Sequence, residues 1–216
     1  MHVIALLAQK GGVGKTTLSV TLAVTAEQDG QRAGVVDADP QATASGWYQA
    51  RQARGVTEPV VAAASDATKL RQAVQDARDD GFDVLFIDTP AGVSELPATA
   101  AALADLVLVP CVPSTFNLDA MGPTVLLLKR AQVSAYFVVN RGRSTGINNE
   151  CALALSSAYG LPAVNVHVSN RLPIGDAERT GSALTELTGK DPSIVNGTRE
   201  FKALWAWIKK QRKAEK

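Results

Sequence analysis

Apolar residues fall in short unbroken runs at 3–7 (VIALL), 33–36 (AGVV), 59–62 (PVVA), 84–87 (VLFI), 106–110 (LVLVP), 135–140 (AYFVVN) and 163–167 (AVNVH). Runs of this length bounded by turn formers predict strands buried on both faces. Between them the polar and apolar positions take a helical period, predicting helices over 16–29, 42–54, 67–80, 96–103, 120–129, 149–159 and 198–213. Strand and helix alternate at crossover spacing. The expected fold is therefore α/β, a single domain over residues 1–216 with a mainly parallel sheet flanked by helices on both faces. No linker, repeat or low-complexity tract interrupts the pattern.

Composition supports that picture. The chain has 216 residues, 46% of them hydrophobic, enough for a sizeable core, and a net charge of +1 that by itself selects no partner class. The N-terminus runs directly into the first strand-length run, and no run approaches a membrane span, so the expected location is cytoplasmic. Cys111 and Cys151 lack CxxC partners and are read as small buried residues rather than a disulfide framework, zinc site or iron–sulfur site. His2 and His167 have no partner at metal-ligand spacing, so each is assigned a structural role.

The first run changes the picture most, because it leads into Lys10, Gly11, Gly12, Val13, Gly14, Lys15, Thr16 and Thr17 at the head of a helical segment. A glycine-rich turn points successive N–H groups at phosphates. The helix N-terminus adds its positive end, Lys15 a point charge on the β/γ oxygens, and Thr16 a hydroxyl for Mg²⁺. The generic pattern places a glycine six residues before its lysine. Here that position is Gln9, and an extra lysine, Lys10, stands at the mouth of the loop.

Two acidic loops accompany it. Asp37, Ala38, Asp39, Pro40 and Gln41 follow the second run, and Asp88, Thr89, Pro90, Ala91 and Gly92 follow the fourth. Each carboxylate is expected at the carboxyl edge of the sheet beside the phosphate loop, one orienting Mg²⁺ and another positioning the attacking water. Asn140 ends the sixth run. Its amide suits the edge of an adenine ring, and a turn-forming role before Gly142 stands beside that reading.

KGGVGKTT, DADPQ and DTPAG together resemble the ParA/MinD family of deviant-Walker-A P-loop ATPases, over nearly the whole chain and most closely the small ParA proteins of plasmid partition. The resemblance implies a homodimer sandwiching two ATP molecules, with Mg²⁺ as cofactor and ATP hydrolysed to ADP and phosphate. It implies that Gly11, Gly12, Val13, Gly14, Lys15, Thr16, Thr17 and Asn140 bind nucleotide. Lys10, Lys15 and Asp39 are the implied catalytic residues, and Thr16, Asp37 and Asp88 lie on the metal side. Lys10 matches the signature lysine that reaches the partner subunit's nucleotide, where it could neutralise transition-state charge.

Charge is local. From Arg199 onward seven basic residues face two acidic ones, so the tail carries +5 and the remainder about −4. On a helix Phe201, Leu204, Trp205 and Ile208 share one face, and Trp207 falls off it. Three readings stand for this segment: a core-docked helix with a solvated basic face, a DNA phosphate surface formed by Lys202, Lys209, Lys210, Arg212 and Lys213, and, less favoured, a membrane-surface helix. The family resemblance implies a switch in which the ATP dimer binds non-specific DNA on the nucleoid. A centromere-binding partner protein then stimulates hydrolysis and release. A MinD-like factor positioning a membrane or protein assembly is the alternative, and a small-molecule kinase or synthetase a third.

Overall fold

A computed structural model describes residues 1–113, 121–143 and 145–214, the last two by backbone alone. Ala120, the predicted start of the fifth helix, and the side chain of Lys213 lie outside the described residues. The described strands are β1 (His2–Leu6), β2 (Ala33–Asp37), β3 (Val60–Ala63), β4 (Val84–Asp88), β5 (Leu106–Cys111) and β6 (Ser134–Val139). Among them run α1 (Lys15–Gln28), α2 (Thr43–Ala53), α3 (Ala67–Asp79), α4 (Glu95–Leu103), α5 (Gly122–Ala131), α6 (Thr145–Tyr159), α7 (Leu172–Arg179) and α8 (Pro192–Ala214).

The strands form one sheet in the order β3-β2-β4-β1-β5-β6, with every pairing parallel. Successive side chains on a strand point to opposite faces, so each central strand feeds two cores. Ile4, Leu6, Phe86 and Leu108 pack with Leu18, Trp47, Phe201 and Ile208 from α1, α2 and α8. Val3, Ala5, Ile87 and Val109 pack with Leu70, Ala100, Val125 and Leu155 from α3 to α6. Burial on both faces is why these strands read as continuous apolar runs. Register then sets the site: Leu6 pairs with Asp88 and Asp37 pairs with Asp88, so two carboxylates reach the sheet edge level with the strand that opens the phosphate loop.

Three elements differ from expectation. The predicted seventh strand at 163–167 is no ladder: Pro162 and Val164 bond to Phe137, and Val168 to Val139, but residues 165–167 leave β6 between those contacts. Pro162 also lacks an N–H to continue a ladder. Helix α7 occupies a segment expected to be loop. Helix α8 begins at Pro192, well before residue 198, with its proline in the first turn where no N–H is needed. Cys111 and Cys151 are both buried free thiols, as expected, yet they are neighbours that hydrogen-bond across β5 and α6.

Arg51 of α2 fixes α2 to the segment after α7. Only 3% exposed, it donates to the carbonyls of Glu58 (2.6 Å) and Gly181 (3.0 Å) and doubly to the Glu186 carboxylate (2.7 and 2.8 Å). Removing one partner strands the other, so Arg51→Leu is expected to cost about 3 kcal/mol of unfolding free energy. Urea denaturation beside Arg71→Leu, on the exposed face of α3, checks this; equal midpoints for the two variants would refute it.

Candidate functional site

The loop between β1 and α1 crosses the sheet edge at the point where neighbouring strands lead away in opposite directions, the usual position of a ligand crevice. Gly12 and Gly14 take positive φ (74° and 90°), which turns the backbone tightly enough to begin α1 at Lys15. Gly14 has a second constraint: a Cβ there would lie 2.2 Å from Asn140 Nδ2. No side chain caps the N-terminus of α1, so its first N–H groups remain available to a ligand.

Asn140 is buried and donates from Nδ2 to the Val13 carbonyl at 2.8 Å. It therefore acts as a brace under the phosphate loop and does not wall the cavity, which corrects the adenine-edge reading: its amide is already committed to the loop. Its own N–H is held by the Cys111 carbonyl at 2.8 Å.

The carboxylates divide their work. Asp37 accepts from Asp39 N (3.1 Å), Ser45 N (2.8 Å) and Ser45 Oγ (2.8 Å), so both of its oxygens shape the loop into α2. That corrects its assignment to the metal side. Asp88, with no exposed surface, accepts from Thr16 Oγ1 at 2.6 Å through Oδ2, while Oδ1 is buried without a partner among the described residues. Burial pushes the Asp88 carboxyl up to about 7, against the opposing pull of Thr16, with Asp37 adding to the rise and Lys15 opposing it. Burial likewise holds the Lys15 ammonium below its ordinary value, opposed by the charges of Asp88 and Asp39. Asp39 is half-buried, accepts from Gln41 N at 2.9 Å, and faces the cavity.

That cavity measures about 890 Å³. Its walls are the loop and first turn from Gly11 to Thr17, Asp39, Trp47, Pro90, Arg141 and Glu178. Glu178 is the residue sequence reasoning missed. It bonds to Thr17 and lies beside Arg141, and burial holds its carboxyl above the usual range. No spacing rule links residue 178 to residue 17; only the fold brings α7 there. Two non-glycine residues with positive φ, Ala42 and Arg141 (both 52°), flank the site, placing local backbone strain around the cavity. Lys10 is exposed and outside the cavity walls.

The basic tail separates into two sets. Phe201, Leu204, Trp205 and Ile208 are buried against the body, and Trp207 packs edge-on to Tyr136 at 4.7 Å. Lys209 pairs with Asp29 at 2.6 Å, and Arg212 donates to Gln31 (3.1 Å) and the Asp83 carbonyl (3.3 Å). These two cations help dock α8, which corrects their placement on an open DNA surface. Lys202 and Lys210 are exposed without an ion pair among the described residues. Again among those residues, no cluster of three His, Cys, Asp or Glu side chains could hold a metal. No described helix is long and apolar enough to cross a membrane.

The family described as "VirC1 protein" matches residues 1–133. The chromosome-partitioning ATPase Soj of Thermus thermophilus is 32% identical over 157 residues, 60% of this chain and 62% of that protein. The maintenance of carboxysome distribution protein A of Halothiobacillus neapolitanus is 26% identical over 195 residues, 87% of this chain and 88% of that one. Among solved structures, septum site-determining protein MinD of Pyrococcus horikoshii, complexed with Mg-ADP, superposes with a TM-score of 0.76 at 20% identity, covering 98% of this chain and 97% of that one. The chain spans about half to three-fifths of the length of the first curated relatives it matches.

Proposed function

The chain belongs to the VirC1 family among the ParA/MinD-type P-loop ATPases, and from that membership we propose that it is a Mg·ATP-driven partition switch whose ATP-bound dimer holds DNA and releases it on hydrolysis. The observation that carries the proposal is the unpartnered, buried Asp88 Oδ1 beside a Thr16 hydroxyl and a desolvated Lys15. An orphaned carboxylate oxygen and a desolvated ammonium are both unfavourable in the ligand-free protein. A cation–polyphosphate complex relieves both together.

Those residues fit Mg²⁺. Thr16 would hold it directly and Asp88 from behind, with phosphates and water supplying most ligands, as this ion prefers. When bound, it neutralises charge on the phosphate oxygens. The chain's own groups do the rest. Loop N–H groups and Lys15 hold the β/γ oxygens, Asn140 fixes the loop backbone, and Asp39 at the cavity wall orients a water for in-line attack. Lys10, exposed and outside its own cavity, is free to reach the nucleotide of a second copy.

DNA is favoured over membrane because the apolar face of α8 is already buried against the body, leaving only cations outward. Co-sedimentation with duplex DNA and with anionic liposomes, each with ATP, ADP and no nucleotide, tests the reading. DNA retention with ATP alone is expected, and equal retention in all three states would overturn the switch. In parallel, Lys10→Ala is expected to keep ATP binding but lose the ATP dimer in sedimentation velocity. An unchanged dimer with unchanged turnover would remove that role.

A further inference from the structure

A second cavity, of about 360 Å³, opens between α6 and α8 on the far side of the turn that follows β6. Arg143, Thr145, Asn165, His167 and Arg199 line it. Arg143 is exposed, and its side chain has no hydrogen bond or ion pair among the described residues. Arg199 meets only the neutral Asn196 Oδ1 at 3.0 Å. Glu200 also borders the cavity, but its carboxylate is consumed by Ser169 N and Oγ (both 2.9 Å) and by Arg171 (2.5 Å). His167 bonds through Nε2 to Asn149 Oδ1 at 2.9 Å, and its Nδ1 is buried without a partner among the described residues. Two unpaired guanidinium groups, an unpaired imidazole nitrogen, a hydroxyl and an amide thus converge where the nearby carboxylate is already neutralised. This chemistry suits a phosphoryl oxyanion.

The surroundings identify its source. On α8, positions 199, 202 and 210 lie within a sector of about 80° at 100° per residue. All three are exposed cations. From Arg199 to Lys210 the helix rises about 16 Å, several phosphate spacings along one strand. A free phosphate would need only the cavity, whereas a row of cations leading out of it tracks a polyanion.

We propose that this cavity grips one backbone phosphate of duplex DNA, with Arg143 and Arg199 as its clamps and Lys202 and Lys210 following the adjoining phosphates. The proposal rests on the DNA reading above and relocates its centre, from the end of α8 to the junction of α6 and α8. It also supplies a link to the nucleotide. Arg141, on the wall of the first cavity, and Arg143, on the wall of the second, are two residues apart in one turn. Gly142 between them is held by Val168 and Asn170.

Fluorescence anisotropy of a labelled duplex with the full chain, titrated with and without ATP at several salt concentrations, tests this. The Arg143→Ala/Arg199→Ala double variant is expected to weaken ATP-dependent DNA binding at least tenfold. Its slope of log K against log salt should fall by about two, one for each lost phosphate contact. Lys209→Ala, whose ammonium is tied to Asp29, should change neither. Thermal unfolding shows whether the variants are folded. Inorganic phosphate added as a competitor should displace the duplex from wild type only weakly; full displacement at low phosphate concentration would make the cavity a free-phosphate site and overturn the proposal. A folded double variant with wild-type affinity and slope would overturn the pocket while leaving the DNA reading standing. Failure of wild type to bind any duplex with ATP, or retention on anionic vesicles in its place, would overturn the DNA reading itself.

Discussion

Lys15→Met is expected to lower ATP affinity at least a hundredfold while leaving the thermal midpoint of the ligand-free protein unchanged or higher. A hundredfold loss corresponds to about 2.7 kcal/mol, the scale of a charge-assisted phosphate contact. The reason for the second half lies in burial. Lys15 is 7% exposed, and desolvation outweighs its attraction to Asp88 and Asp39. Before nucleotide arrives, the ammonium is thus a local cost, and methionine of similar length keeps the aliphatic packing without it. Asp88 loses a cation in the variant but sits close enough to neutrality to take up a proton in its place. The measurement is a thermal shift series in ATP. Wild type should stabilise as the logarithm of ligand over Kd, by about 2.7 kcal/mol at a hundredfold excess over Kd, and the variant should stay flat. A methionine variant that shifts like wild type would show that the loop's backbone alone holds the phosphates.

How far such residues could be read in advance depended on where their partners lie along the chain. Lys15 and Thr16 were legible because loop, lysine and helix are consecutive, so spacing alone carries the geometry. Asp88 was legible as the end of a run buried on both faces, which marks a strand terminus at the carboxyl edge. Asn140 was legible as a strand end but not as a loop brace, since its partner Val13 is 127 residues away. Glu178 left no local sign at all. It sits on α7, whose eight residues include Pro173 and Gly175, and the helical period is too short and too interrupted to show. The early turns of α8 were hidden for a related reason. Gly197 reads as a breaker, yet a Cβ there would lie 2.4 Å from Leu184 Cδ2, so glycine is needed for close approach inside a helix. The basic tail was legible as charge but not as surface. Asp29 and Gln31, which engage Lys209 and Arg212, become neighbours only when α8 packs on α1.

Asp88→Asn is expected to stabilise the nucleotide-free protein above neutral pH while reducing Mg-dependent turnover at least a hundredfold. The carboxyl is raised from 3.8 to about 7, chiefly by burial, although Thr16 donates to it. A folded-state value above the unfolded one means that folding takes up protons between the two. The stabilisation from this group is full below about pH 4 and is lost as pH rises through about 7. Ligand-free wild type should therefore melt lower near pH 8 than near pH 6, and the asparagine variant should lose that part of the dependence. Holding a cation reverses the preference, because the carboxylate must then be ionised. Mg·ATP affinity in wild type should fall as pH drops below about 7, approaching tenfold per unit, and the variant's weaker affinity should be flat in pH. Calorimetric melts with Mg·ATP titrations from about pH 6 to about pH 8 separate the two effects. A variant that keeps the wild-type pH slope in both would place the titrating group elsewhere and detach Asp88 from the metal side of the site. Since Thr16 can still donate to the asparagine oxygen, loss of turnover in a folded, stabilised variant would isolate the charge of Asp88, rather than its hydrogen bond, as what the site uses.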